Sequence, residues 1–187
     1  MIASLTRTGS RSQTAGSLTV DVNILMKFIW FNLILLNSIA FGDAPLRYPD
    51  MIEIWEPQSN YCALIEKKTT TIYKRGCLNG KEIYKIKGFH PVSYLRENGS
   101  VFISTYPGLN LVGLHSPLET VIVEVFDNGE KKQTVKLKEL IKSFNSLQKT
   151  SSHYQWGSIK SLNGTILEIV TKEGEILFNY KTGIISK

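Results

Sequence analysis

Beyond residue 42 the apolar positions fall into short runs, many with the two-residue period of β-strands, at 101–106, 120–126, 134–137, 165–171 and 175–180. In the last of these Ile176, Phe178 and Tyr180 share one face. Glycine-containing dipeptides punctuate the runs: Asn79-Gly80, Asn98-Gly99, Asn128-Gly129, Asn163-Gly164 and Glu173-Gly174. Asn-Gly supplies the left-handed backbone angles that tight hairpins need, so the pattern predicts an antiparallel meander. The expected fold class is mainly β: hairpins forming an incomplete propeller-like array, a sandwich or an open barrel, with one amphipathic covering helix. That helix is expected over 138–148, where Leu140, Ile141, Phe144 and Leu147 recur at helical spacing. Pro45, Pro49 and Pro57 predict an extended segment up to about Tyr61.

Residues 1–42 read differently. The first 25 contain eight Ser or Thr and one acid, with no apolar periodicity until their end, and read as a disordered or untranslated preface before Met26. Lys27 then precedes the run 28–36, and Ala40 and Gly42 are small residues at the −3 and −1 positions of a cleavage site. These are the parts of a secretory signal peptide over 26–42. Residues 28–41 are only 14 long and contain Asn32 and Asn37, against the roughly 20 apolar residues of a spanning helix. No stable membrane span is expected after cleavage, and 43–187 forms a single β-rich domain.

Composition narrows the class. With 187 residues, 42% apolar and 20% charged, the chain is neither disordered nor polytopic, and its length supports one core. Residues 43–187 keep 19 of the 22 basic and 15 of the 16 acidic side chains, a net charge of +4. The charges are interleaved, as in Lys131, Lys132, Lys136 and Lys138 with Glu124, Glu130 and Glu139. No RNA-recognition, zinc-finger or helix-turn-helix signature accompanies them, so no nucleic-acid partner is expected, only loose attraction to anionic envelope polymers.

Cys62 and Cys77 flank two expected strands about a turn near Thr69-Thr70. In that register Cys62 faces Cys77 and Glu66 faces Tyr73, which predicts a disulfide. An oxidising compartment favours the bridge, and the wide spacing, with no nearby His, argues against zinc. His90, His115 and His153 show no ligand spacing either, so no metal and no cofactor are expected. His90, preceding Pro91, reads as structural.

The densest polar and aromatic cluster is 150–157, Thr-Ser-Ser-His-Tyr-Gln-Trp-Gly. Ser152, His153, Tyr154 and Trp156 are its candidate ligand contacts, suited to a sugar, peptide or small polar molecule. The competing reading makes Thr150 and Ser152 a helix end, Trp156 a core plug and His153 a partner of a backbone carbonyl. Ser152 and His153 are neighbours whose side chains diverge in an extended segment, so no catalytic dyad is inferred. No nucleophile elbow, P-loop, dinucleotide fingerprint or His-Glu-x-x-His is present. Glu53, Glu56, Glu173 and Glu175 read as solvated charges, and the sequons at Asn98 and Asn163 as turns.

The segments Trp55-Glu-Pro-Gln-Ser-Asn-Tyr, Leu95-Arg-Glu-Asn-Gly-Ser-Val-Phe-Ile and Val125-Phe-Asp-Asn-Gly-Glu resemble propeller-blade hairpins. Four blades of about 40 residues would need about 160, more than 43–187 offers. With Gly88-Phe-His-Pro, Gly108-Leu-Asn-Leu and the octet, the region is similar to small exported bacterial β-rich proteins of unassigned function, which implies export and β-structure alone. The leading expectation is an exported, non-catalytic binding module of the envelope or extracellular space, its ligand unknown. The alternatives are a small secreted hydrolase using His153 and a structural accessory protein with no ligand.

Overall fold

Alternation at 51–55 makes the first strand. The structure, a computed structural model, describes residues 47–57 and 59–187, so the expected preface and signal peptide lie outside the described residues. β1 (Met51–Trp55), β2 (Tyr61–Glu66), β3 (Thr69–Lys74) and β4 (Lys81–Lys87) form an antiparallel sheet in that order. β1 is extended, as the prolines predict, and pairs with β2. Pro49 and Pro57 bracket a stretch in which Ile52 and Ile54 are half-buried while Met51, Glu53 and Trp55 face out.

The β2–β3 hairpin also differs from the expected register. Glu66 pairs with Thr69 and Cys62 with Tyr73, so Lys67 and Lys68 make the turn. β-branched Thr69–Thr71 favour strand over turn, and two solvated lysines take the tip instead. The disulfide forms nonetheless, with Cα atoms 5.6 Å apart. Cys77 lies beyond the end of β3, where Arg75 (φ 69°) and Gly76 (φ 113°) turn the chain back over β2.

A second antiparallel sheet runs in the order β5 (Ser93–Arg96), β6 (Val101–Thr105), β8 (Val121–Asp127), β9 (Glu130–Lys136). Its two Asn-Gly turns adopt positive φ at both residues, 53° and 78° at Asn98-Gly99 and 49° and 87° at Asn128-Gly129. All five residues of β6 are buried. Phe102, with Leu95 and Phe126, joins Ala63, Ile65, Ile72 and Ile86 of the first sheet in one core. Val101 and Ile103 face the opposite way into a larger core. The second sheet is therefore the middle layer, apolar on both faces.

The larger core is closed by two more sheets. β7 (Leu111–Gly113), β10 (Gln148–Lys149) and β11 (His153–Gln155) pair in the order β10-β11-β7. β12 (Ser158–Asn163), β13 (Ile166–Thr171), β14 (Gly174–Asn179) and β15 (Ile185–Ser186) form a consecutive meander. Ile176, Phe178 and Tyr180 are all buried, as their shared face predicts. The fold is mainly β, four antiparallel sheets that do not close into a barrel.

The covering helix is one turn, α1 (Leu137–Leu140), far shorter than 138–148. Its start is capped by Glu139, whose carboxylate accepts the Lys136 backbone N–H at 2.7 Å. Its end comes at Ile141, β-branched and extended, after which the Lys142 N–H leaves the helical direction to donate to Glu173 at 2.8 Å. A 3₁₀ turn at Phe144–Ser146 follows. Leu140, Ile141 and Leu147 are buried and Phe144 packs on the same core, so the apolar spacing marked burial correctly without marking a helix.

One hairpin turn locks three layers together. Glu56, expected in solvent, is buried: its Oε1 accepts the Asn98 backbone N–H at 2.9 Å and its Oε2 the Ser59 hydroxyl at 2.6 Å. The Tyr84 hydroxyl donates to the Gly99 carbonyl at 2.7 Å. From the fourth sheet Tyr180 donates to Glu97 at 3.1 Å, and Lys181 pairs with the same carboxylate at 3.1 Å. Burial first, then the bond to Glu97, pushes the Tyr180 phenol up to about 12. Gly99 is required here, because a side chain would overlap the Tyr61 ring and its φ is positive.

Candidate functional site

The octet 150–157 becomes the β10–β11 hairpin and the crossing into the fourth sheet. Gln148 pairs with Gln155 and Lys149 with Tyr154, leaving 150–152 as the turn. Thr150 holds that turn closed: its backbone N–H donates to the His153 carbonyl at 2.8 Å and its hydroxyl oxygen accepts the His153 N–H at 3.0 Å. Ser152 sits in a bend, which corrects the expected divergence, and its Oγ lies 2.8 Å from His153 Nδ1. Tyr154 packs against Phe144, ring centroids 5.0 Å apart.

Trp156 is 1% exposed and belongs to the larger core. Its indole N–H donates to the Leu109 carbonyl at 2.8 Å and its backbone N–H to the Asn110 carbonyl at 3.0 Å. Leu109 has φ 55°, uncommon for a leucine, so the indole bond falls on a strained loop residue. Gly157 follows at φ 154°, its backbone so close to the Val170 carbonyl that any side chain would collide.

Ser152 and His153 meet, but the four expected contacts do not gather into one site. A cleft of about 370 Å³ opens beside Trp156, lined by Asn110, Gln148, Gln155, Ser158, Thr171 and Lys172 among others. Of the four expected contacts Trp156 alone lines it, as its wall. Sequence reasoning passed over Asn110, Gln148 and Lys172. Gln148 and Gln155 could have been found from the hairpin register, since directly paired residues project to one face. Asn110 and Lys172 arrive from distant segments and leave no local signal.

Three side-chain amides offer both donors and acceptors, and Lys172 adds one cation. No carboxylate is among the described residues lining the cleft. Such a wall hydrogen-bonds a polar ligand but supplies no acid–base pair.

A second, smaller pocket of about 160 Å³ adjoins His90 and Ser104. His90 is buried, its Nδ1 2.8 Å from Ser104 Oγ and its Nε2 3.3 Å from the Lys87 carbonyl. The carbonyl accepts only from N–H, so Nε2 carries the proton and Nδ1 accepts from Ser104. Phe102 and Phe126 meet the ring edge-on at 5.8 and 5.6 Å. This is the structural role expected of His90, a tie between the end of β4 and the middle sheet.

Burial holds the His90 imidazole below the usual histidine range, opposed by the Lys87 carbonyl and the Glu124 charge. The unfolded chain therefore takes up its proton first as pH falls. The contribution of His90 to stability is complete above about pH 6.5 and is lost as the pH falls below that value toward its lowered folded pKa. Urea midpoints at pH 7.5, 6.0 and 5.0 should fall with acid in the wild type, and His90→Gln should flatten that part of the slope. An unchanged slope in the variant would assign the acid sensitivity elsewhere.

Among the described residues His90, His115 and His153 do not gather into a metal-binding cluster. Nor does any helix among them reach the length and apolarity needed to cross a membrane. Comparison of the chain with family models, with curated proteins and with solved structures finds no match.

Proposed function

We propose that the protein is an exported, non-catalytic binding module of the envelope or extracellular space that takes a small polar ligand in the cleft beside Trp156. The observation that carries this reading is the cross-strand pair Gln148 and Gln155, set with Asn110 along a cleft walled by a fixed indole. Side-chain amides donate and accept at once, which suits sugars and short peptides. The apolar run 28–36 with its small cleavage-site residues, together with a disulfide, supports export.

The test uses diacetylchitobiose and trialanine as probes, each bearing amides, titrated against the isotope-labelled protein by NMR. Saturable shifts are expected at Asn110, Gln148 and Gln155. Gln155→Ala should weaken binding about fivefold to tenfold, the worth of one or two hydrogen bonds, with the spectrum otherwise intact. Absence of saturable shifts there with either probe rejects the cleft as a site for this ligand class.

The 2.8 Å contact between Ser152 Oγ and His153 Nδ1 favours a second reading, a small hydrolase with His153 as base. His153→Ala separates the two. Loss of ester or peptide turnover with an intact fold supports the hydrolase, while unchanged probe binding without any turnover supports the module.

A further inference from the structure

The loop following β3 is braced far beyond what its length requires. Cys77 is bonded to Cys62 of β2, the Arg75 N–H donates to the Asn60 carbonyl at 2.6 Å, and the Gly80 N–H to the Gly76 carbonyl at 3.0 Å. Arg75 is held at φ 69°, a left-handed position that a non-glycine residue seldom occupies. A side chain at Gly80 would collide with the Gly76 and Lys74 carbonyls. These constraints hold Leu78 out in water at 69% exposure. Trp55, whose strand partner is Cys62, stands beside the bridge at 50% exposure.

Three cations, Lys74, Arg75 and Lys81, flank the loop. Residues 51–87 carry seven Lys or Arg and four Glu, three of the four net positive charges of 43–187, and one of those acids, Glu56, is buried. In the other sheets Lys131, Lys132, Lys136, Lys138, Lys160 and Lys181 each reach a carboxylate. At the end of the first sheet that carries this loop, Arg75 and Lys81 form no ion pair among the described residues, and Lys74, the strand partner of Lys81, lies over the Tyr61 ring at 5.4 Å.

We propose that the disulfide-braced loop 75–80, with Trp55, docks the protein onto an anionic phospholipid surface. Indole and leucine settle at the headgroup and acyl boundary, and Arg75, Lys81 and Lys74 meet the phosphates. A lipid surface fits better than a protein partner. A protein interface needs about 800 Å² from each side, whereas one leucine and one indole on a rigid tip suit shallow insertion. This site is separate from the cleft beside Trp156 and stands without it.

The test is sedimentation of the full chain with vesicles of phosphatidylcholine alone or with 30% phosphatidylglycerol. Comparing variants of one chain cancels any contribution from residues 28–36. Wild type should partition about tenfold more strongly onto the anionic vesicles, and 0.5 M salt should remove the difference. Arg75→Glu and Leu78→Ser should each remove most of that gain, while Leu177→Ser on the fourth sheet keeps it. Unblocked alkylation or a shifted urea midpoint would mark a misfolded variant, in which case Trp55→Ala replaces it. Equal partition of wild type onto both vesicles, or loop variants that bind like wild type, overturns the proposal. Binding to polyglutamate with the vesicles ignored overturns it in favour of an acidic polypeptide.

Discussion

Truncation of Trp156 to alanine is expected to lower the stability of the folded state by about 3–5 kcal/mol, the range for emptying a buried aromatic site. At 1% exposure the indole has no route to collapse into solvent, and it shares its core with Val112, Leu167 and Ile169. The same change removes the donor to the Leu109 carbonyl. Trp156→Phe separates the two effects: the ring is mostly retained, and losing the hydrogen bond costs about 1–2 kcal/mol. Urea unfolding followed by far-UV circular dichroism measures both, since replacing Trp156 removes one of the three tryptophans that fluorescence would follow. Against a domain stability of about 5–15 kcal/mol the alanine variant loses a large share. A loss below about 1 kcal/mol would show that the indole is not part of the core. One consequence follows for any binding assay: Trp156→Ala would change stability and the wall of the cleft together, so Gln155→Ala is the informative change.

What the sequence revealed about the fold depended on the range of the interaction responsible. Turn chemistry is local, and Asn98-Gly99 and Asn128-Gly129 adopt the predicted positive φ angles because the preference resides in those two residues. Period-two burial at Ile176, Phe178 and Tyr180 was equally legible. The 138–148 segment failed for an instructive reason. Its apolar residues were correctly placed inside, but helix or extended chain was decided by a partner 31 residues away, Glu173 on the Lys142 N–H. The β2–β3 register failed similarly. Two arrangements of the hairpin keep the same residues on the same face, and the preference of the threonines for strand moved the turn to Lys67-Lys68.

The candidate site was legible only in outline. Residues 150–157 do adjoin a cleft, yet composition could not say which side chains would be spent on the fold. Trp156 went to the core, Tyr154 to Phe144, and Thr150 to closing its own turn. Glu56 was the largest omission. Its surroundings read as a Pro-rich surface segment, and its purpose is visible only once the Asn98 turn, 42 residues later, is brought against it.

Removing the Cys62–Cys77 bridge is the second change with a large expected effect. The cysteines are 15 residues apart, and in the chain-entropy model closing such a loop restricts the unfolded chain by about 3 kcal/mol. Cys62→Ala with Cys77→Ala, and wild type reduced by a thiol, should both show that loss as a lower urea midpoint. The denaturant slope should rise, because an uncrosslinked unfolded chain exposes more surface. The damage should also be local. Without the bridge the loop keeps, among the described residues, two backbone bonds, Arg75 to Asn60 and Gly80 to Gly76, so hydrogen exchange at 75–80 should accelerate well before exchange in β13 and β14. Preference for anionic vesicles should then fall even where the domain stays folded, because Leu78 and Arg75 are no longer held out together. Uniform acceleration across all four sheets would instead mean that the first sheet cannot open on its own. An unchanged midpoint on reduction would mean that the bridge does not limit stability, and that any dependence on an oxidising compartment must come from ligand or surface binding rather than from the fold.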